Sequence, residues 1–125
     1  MIKGRFKGFL PSLIWTIVIV ILSILPGETV KSATFLDFWN VDKLGHLIVY
    51  LLHSYLLLLG FRLALDKKVD KQQILISMLL GIGLGILLEL IQYFFTQDRT
   101  FDLLDMLANA VGTILGMMLF KRMHK

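Results

Sequence analysis

The stretch Ile74–Phe95, ILISMLLGIGLGILLELIQYFF, decides the fold. It carries one acidic residue, Glu89, and no basic one. As a helix it spans ~33 Å, enough to cross a hydrocarbon core of ~30 Å. No strand-period alternation competes with that reading. Three further apolar windows of similar length flank it, at about 9–25, 44–65 and 103–120. Together they occupy most of the 125 residues and leave short loops, with room for one domain. The expected fold is all-α, an integral membrane four-helix bundle. The hydrophobic fraction of 57 % agrees, since soluble domains run at about 45–50 %. Mean hydropathy is +0.78. There is no cysteine, which excludes disulfides, thiolate metal sites and a Cys nucleophile.

Charge is segregated along the chain. Lys3, Arg5, Lys7, Arg62, Lys67, Lys68, Lys71, Lys121, Arg122 and Lys125 fall on one side of the predicted spans, and only Lys31, Lys43 and Arg99 on the other. Counted by Lys and Arg, this bias predicts both termini in the cytoplasm. Orientation and anionic headgroups account for the basic side, so no nucleic-acid partner is implied. The first window has a basic start but no small-x-small cleavage pattern after it, and is read as a retained helix. Pro26 and Gly27 end it, and 27–41 is expected to be a loop whose Phe35, Leu36, Phe38 and Trp39 can lie at the outer interface.

Working outward from Glu89, a set of polar residues gathers at the outer ends of three helices. Asp42, Lys43, His46 and Tyr50 belong to the second, Glu89 and Gln92 to the third, and Arg99, Asp102, Asp105 and Asn109 to the turn and fourth helix. Asp42, His46, Tyr50 and the deeper His53 share a stripe about 80° wide. Gly81, Gly85, Glu89, Gln92 and Thr96 form another, and Asp102, Asp105, Asn109, Gly112 and Gly116 a third. The Gly-x-x-x-Gly pairs let helix backbones approach closely where lipid supplies no hydrophobic drive. The short connection Thr96–Phe101 makes the last two helices antiparallel neighbours. That places Glu89 and Asn109 level at ~10 Å depth, with His46 and Tyr50 bracketing them.

Polar side chains between membrane helices are often only packing glue, at ~0.6 kcal/mol for each hydrogen bond. That reading suits Gln92, Asn109 and Thr96, and Asp102 can simply cap the fourth helix. His53 is expected to bond a neighbouring helix. Glu89 is different, because a carboxylate below the interface must be paired, protonated or hydrated. His46, one turn below Asp42, suits an oriented general base or a metal ligand. Lys43 and Arg99 can pair with the aspartates or clamp a phosphate, and Tyr50 can donate to one. No spacing approaches a known zinc motif, and no cofactor is specified.

The ordered set Asp42-Lys43-x-x-His46-x-x-x-Tyr50, Glu89-x-x-Gln92, and Arg99-x-x-Asp102-x-x-Asp105-x-x-x-Asn109-x-x-Gly112 resembles the VanZ family over essentially the whole chain. The resemblance implies a small bacterial inner-membrane protein with a cell-envelope role. The family's founding type is associated with lowered susceptibility to teicoplanin, a glycopeptide that carries an acyl chain. No settled reaction comes with the resemblance.

Two functional classes follow. In the first, an external pocket binds an anionic, lipid-linked or lipidated headgroup, with Asp42, Lys43, Tyr50, Gln92, Arg99, Asp102 and Asn109 as ligand-binding candidates. In the second, a small hydrolase or transferase acts on such a headgroup, with His46, Glu89 and Asp105 as catalytic candidates. A proton-coupled carrier using Glu89 and His46 is a third class, for which four short helices offer little alternating-access machinery.

Overall fold

The computed structural model describes residues 2–25, 39–95 and 102–125. A helical turn, Ile2–Arg5, and a 3-10 turn, Phe6–Phe9, lead into α1 (Leu10–Ile24). Then come α2 (Trp39–Leu65), α3 (Lys71–Phe95) and α4 (Leu103–Met123). No strand occurs among the described residues. Four helical segments are long and apolar enough to cross a membrane: Phe6–Ile24, which joins the 3-10 turn to α1, then Lys43–Leu65, Lys71–Phe95 and Leu103–Met123.

Local chemistry sets the helix ends. Pro11 sits in the first turn of α1, where its missing N–H costs nothing. Leu25 is extended, as a residue before proline prefers. Asp66 closes α2 with φ of 50°, a left-handed conformation that aspartate tolerates. Trp39, Asn40 and Val41, expected in a loop, instead begin α2, and the rest of that loop lies outside the described residues.

α3 starts three residues earlier than the apolar pattern predicts. The Asp70 carboxylate accepts from the Gln72 and Gln73 amides at 2.9 and 3.3 Å, and the Gln73 side chain accepts from the Asp70 amide at 2.8 Å. This reciprocal capping box satisfies N–H groups that would otherwise be orphaned. α4 runs three residues beyond its apolar window, with Lys121 and Arg122 in its last turn complementing the negative end of the dipole.

Contacts fix the topology. Gly8 packs on Leu63 while Trp15 Nε1 donates to the Val49 carbonyl at 3.0 Å, so α1 runs antiparallel to α2. Ile19 clusters with Leu88 while the Gln92 amide donates to the Ser23 carbonyl at 3.0 Å, so α1 runs parallel to α3. Gly81 packs on Thr113 and Gly85 on Asn109, which makes α3 and α4 antiparallel. Gly112 lies against the Leu47 carbonyl and Gly116 against the Leu51 carbonyl, so α2 and α4 run parallel. Ser54 Oγ seals that interface by donating to the Thr113 carbonyl at 2.8 Å.

Burial is inverted relative to a soluble bundle. Ser54, Ser77, Thr113, Asn109 and Glu89 are at most 3 % exposed, while Leu79, Phe94 and Phe95 are 61–81 % exposed. Lipid tails are as apolar as leucine, so the interior collects small and polar residues that pack closely and hydrogen-bond. Two apolar clusters remain inside, Ile19–Tyr50–Leu88 and Leu58–Met117–Phe120.

Candidate functional site

The first turns of α2 and α4 meet the last turns of α3 at one end of the bundle. There Lys43 Nζ hydrogen-bonds the carboxylates of both Asp102 and Asp105. Asp102 also caps α4, its Oδ1 accepting from the Leu104 amide at 2.8 Å. Hydrogen bonding from Lys43 holds the Asp102 carboxyl below its ordinary range, with the Leu104 amide adding to it against a partial desolvation. One turn deeper, His46 Nδ1 pairs with Asn109 Oδ1 at 2.9 Å, and Nε2 faces Asp105 at 3.6 Å. A partner on each side fixes the imidazole's orientation.

Glu89 enters from α3 at the opposite wall. Its carboxylate accepts from the Asp102 backbone amide at 3.0 Å, with only 3 % of the residue exposed. It therefore closes the N-terminus of α4, where amides and dipole favour negative charge. Tyr50 is 3 % exposed and packs with Ile19 and Leu88.

Not every candidate joins this cluster. The expected level of Glu89 and Asn109 is offset by one turn: Gly85 packs on Asn109, so Glu89, four residues further along α3, meets Asp102 instead. Gln92 donates to the Ser23 carbonyl, one of the last acceptors of α1, which the helix itself leaves without an amide. The predicted stripe on α2 divides, because His46 faces α4 whereas His53 Nε2 pairs with Thr16 Oγ1 of α1 at 3.1 Å. Arg99 and the Asp42 side chain lie outside the described residues.

Sequence reasoning passed over Trp15, Thr16, Ser23, Ser54 and Thr113, which tie the helices together. Their signal was there to find, in small or amphipathic polar residues inside otherwise apolar windows. Among the described residues, no group of three or more His, Asp or Glu side chains is arranged to hold a metal ion.

The Glu89 contact makes a specific demand. Glu89→Ala strips the Asp102 amide of its acceptor and is expected to destabilise the bundle by about 1–3 kcal/mol, whereas Glu89→Gln keeps a carbonyl for that amide and should cost much less. Thermal unfolding of the two variants in detergent checks this, and equal losses would contradict it.

No curated protein and no solved structure matches the chain. The family model described as VanZ/LLP1 matches residues 7–124, so the span it recognises includes all four helices and the whole polar end, and the chain belongs to that family.

Proposed function

We propose that this membrane protein works in the bacterial cell envelope by binding the headgroup of a lipid-linked or lipidated molecule at the polar end of its bundle. That end faces outward, with both termini in the cytoplasm. The observation that carries the reading is the meeting of Lys43, His46, Glu89, Asp102, Asp105 and Asn109 at the mouth of three helices. Charged groups at such a depth are costly, and packing alone does not call for so many.

The balance of charge shapes the ligand. Lys43 already serves two carboxylates, so an anionic group competes with Asp102 and Asp105 for it. Arg99, which the sequence places between α3 and α4, is the other cation assigned to such a group. Hydroxyls and amides of the headgroup have acceptors to meet in Asp105 and Glu89. The outward orientation rests on ten of the thirteen Lys and Arg residues lying at the opposite end.

A second reading is hydrolysis or group transfer on the same headgroup, with His46 and Glu89 as acid-base pair. It draws on the fixed imidazole, held by Asn109 with Asp105 on its other nitrogen.

Loss of function tests the proposal. Deleting the chain from its host is expected to increase teicoplanin sensitivity while leaving sensitivity to a glycopeptide without an acyl chain less affected. Complementation by the native chain should restore it, and His46→Ala or Asp105→Asn at equal membrane abundance should not. Full restoration by both variants would refute a site at this end. Because the chain lacks cysteine, a single Cys at Lys125 reports orientation in the same strains; labelling by an impermeant reagent from outside would reverse the topology.

A further inference from the structure

We propose that the opposite end of the bundle carries a second site, which binds the phosphate headgroup of an anionic phospholipid. A cleft of about 220 Å³ opens there between the end of α2, the α2–α3 connection and the end of α4. Arg62, Lys68 and Lys121 line it from those three elements, with His124 and Lys125 just past α4, over a floor that includes Ile74 and Phe120. No carboxylate side chain lines it. Among the described residues, Arg62, Lys68 and Lys121 make no ion pair; the nearby Asp70 is engaged by Lys67 at 3.4 Å and by the cap of α3.

His124 is held in place. Its ring lies against Phe120 at a centroid distance of 4.4 Å, and its Nε2 pairs with the Tyr55 hydroxyl at 3.2 Å. Phe120 is 3 % exposed, so the floor is anchored in the bundle core.

Basic residues at helix ends have an ordinary explanation, in the positive-inside bias and the helix dipole. Lys7, Lys71 and Arg122 fit that explanation without lining the cleft. Arg62, Lys68 and Lys121 differ in converging on one concave surface from separate parts of the chain. The C-termini of α2 and α4 oppose an anion there by about half a charge each, which the full positive charges of Arg62, Lys68, Lys121 and Lys125 outweigh.

Size and position select the occupant. The volume falls below the ~300–1,000 Å³ of sites that enclose a whole small molecule. The cleft adjoins the ends of the spans at Leu65 and Met123, at the depth of lipid headgroups. Guanidinium and ammonium groups meet the phosphate, and the apolar floor receives the glycerol end of the chains.

The experiment uses the full chain in detergent with an equimolar mixture of phosphatidylglycerol and phosphatidylcholine, counting the lipid that co-purifies. The native protein is expected to enrich phosphatidylglycerol. Arg62→Gln/Lys121→Gln should lower that enrichment by about five-fold per cation removed. Lys7→Gln/Arg122→Gln removes the same charge from the same end and should leave it nearly intact. Lys68→Gln, at an exposed loop position, carries the test if the double variant does not fold. Equal losses in the two double variants, or no preference in the native protein, would overturn the site. Displacement of the lipid by inorganic phosphate alone would overturn its assignment to a lipid.

Discussion

Gly116→Val is expected to prevent the bundle from assembling, while Gly83→Ala leaves it as stable as before or slightly more so. A Cβ at Gly116 meets the Leu51 carbonyl and Ser54 Oγ well inside contact distance, and one at Gly112 meets the Leu47 carbonyl. These obstacles are mostly backbone, so no side-chain rotation makes room. Even Gly116→Ala must separate α2 from α4, at about 1–3 kcal/mol for overpacking a tight interface. Separation also lengthens the buried bond from Ser54 to the Thr113 carbonyl. Valine adds two more methyl groups at the same point. Around Gly83 nothing lies within 4 Å, so alanine there gains helix propensity, ~1 kcal/mol, without a clash. Thermal unfolding in one detergent, with yield of folded monodisperse protein, measures both. A Gly116→Val protein with native yield and melting temperature would mean that α2 and α4 do not pack on this glycine face.

The same glycines show how far the sequence could be read. Gly81, Gly85, Gly112 and Gly116 are recognisable by spacing alone, and all four occur at helix crossings. The four spans and the Asp102 cap were equally accessible, because each depends on local composition. Axial register was not. Helical phase gives the direction in which Glu89 and Asn109 point, but their relative height depends on the seating of Gly85 against Asn109. A shift of one turn, about 5.4 Å, gave Glu89 a different partner. The division of the α2 stripe has a similar cause. Positions within about 80° on one helix serve two neighbours when that helix lies between them, as α2 lies between α1 and α4. The start of α3 escapes the apolar pattern for a more local reason: Asp70 and Gln73 are a capping signal written in polar residues, upstream of that pattern.

Lys43→Met is expected to destabilise the polar end and reverse its response to acid. In the native chain Lys43 is the bridge between Asp102 and Asp105, with side-chain exposures of 16 %, 33 % and 14 %. Removing one partner from a fully buried pair costs about 3–5 kcal/mol; partial solvation here reduces the expectation to about 1–3. Methionine retains the bulk of the side chain, so the loss reports charge and hydrogen bonding rather than a cavity. The sign of the pH effect follows from Asp102, whose carboxyl lies below its ordinary value in the folded chain because Lys43 hydrogen-bonds it. Its stabilisation is complete above the unfolded value of about 3.9 and drains as pH falls toward the folded value. In Lys43→Met the two aspartates repel instead, so protonation relieves them and mild acid should raise stability relative to neutral pH. Lys43→Met/Asp105→Asn removes the repulsion and should recover most of the loss at neutral pH. Melting temperatures of the three proteins between neutral and mildly acidic pH check this, and parallel pH profiles would show that Lys43 does not bridge the two carboxylates. The double variant also separates architecture from site. If it folds like the native protein yet fails to complement the deletion in teicoplanin sensitivity, the charges at this end serve a ligand as well as the bundle.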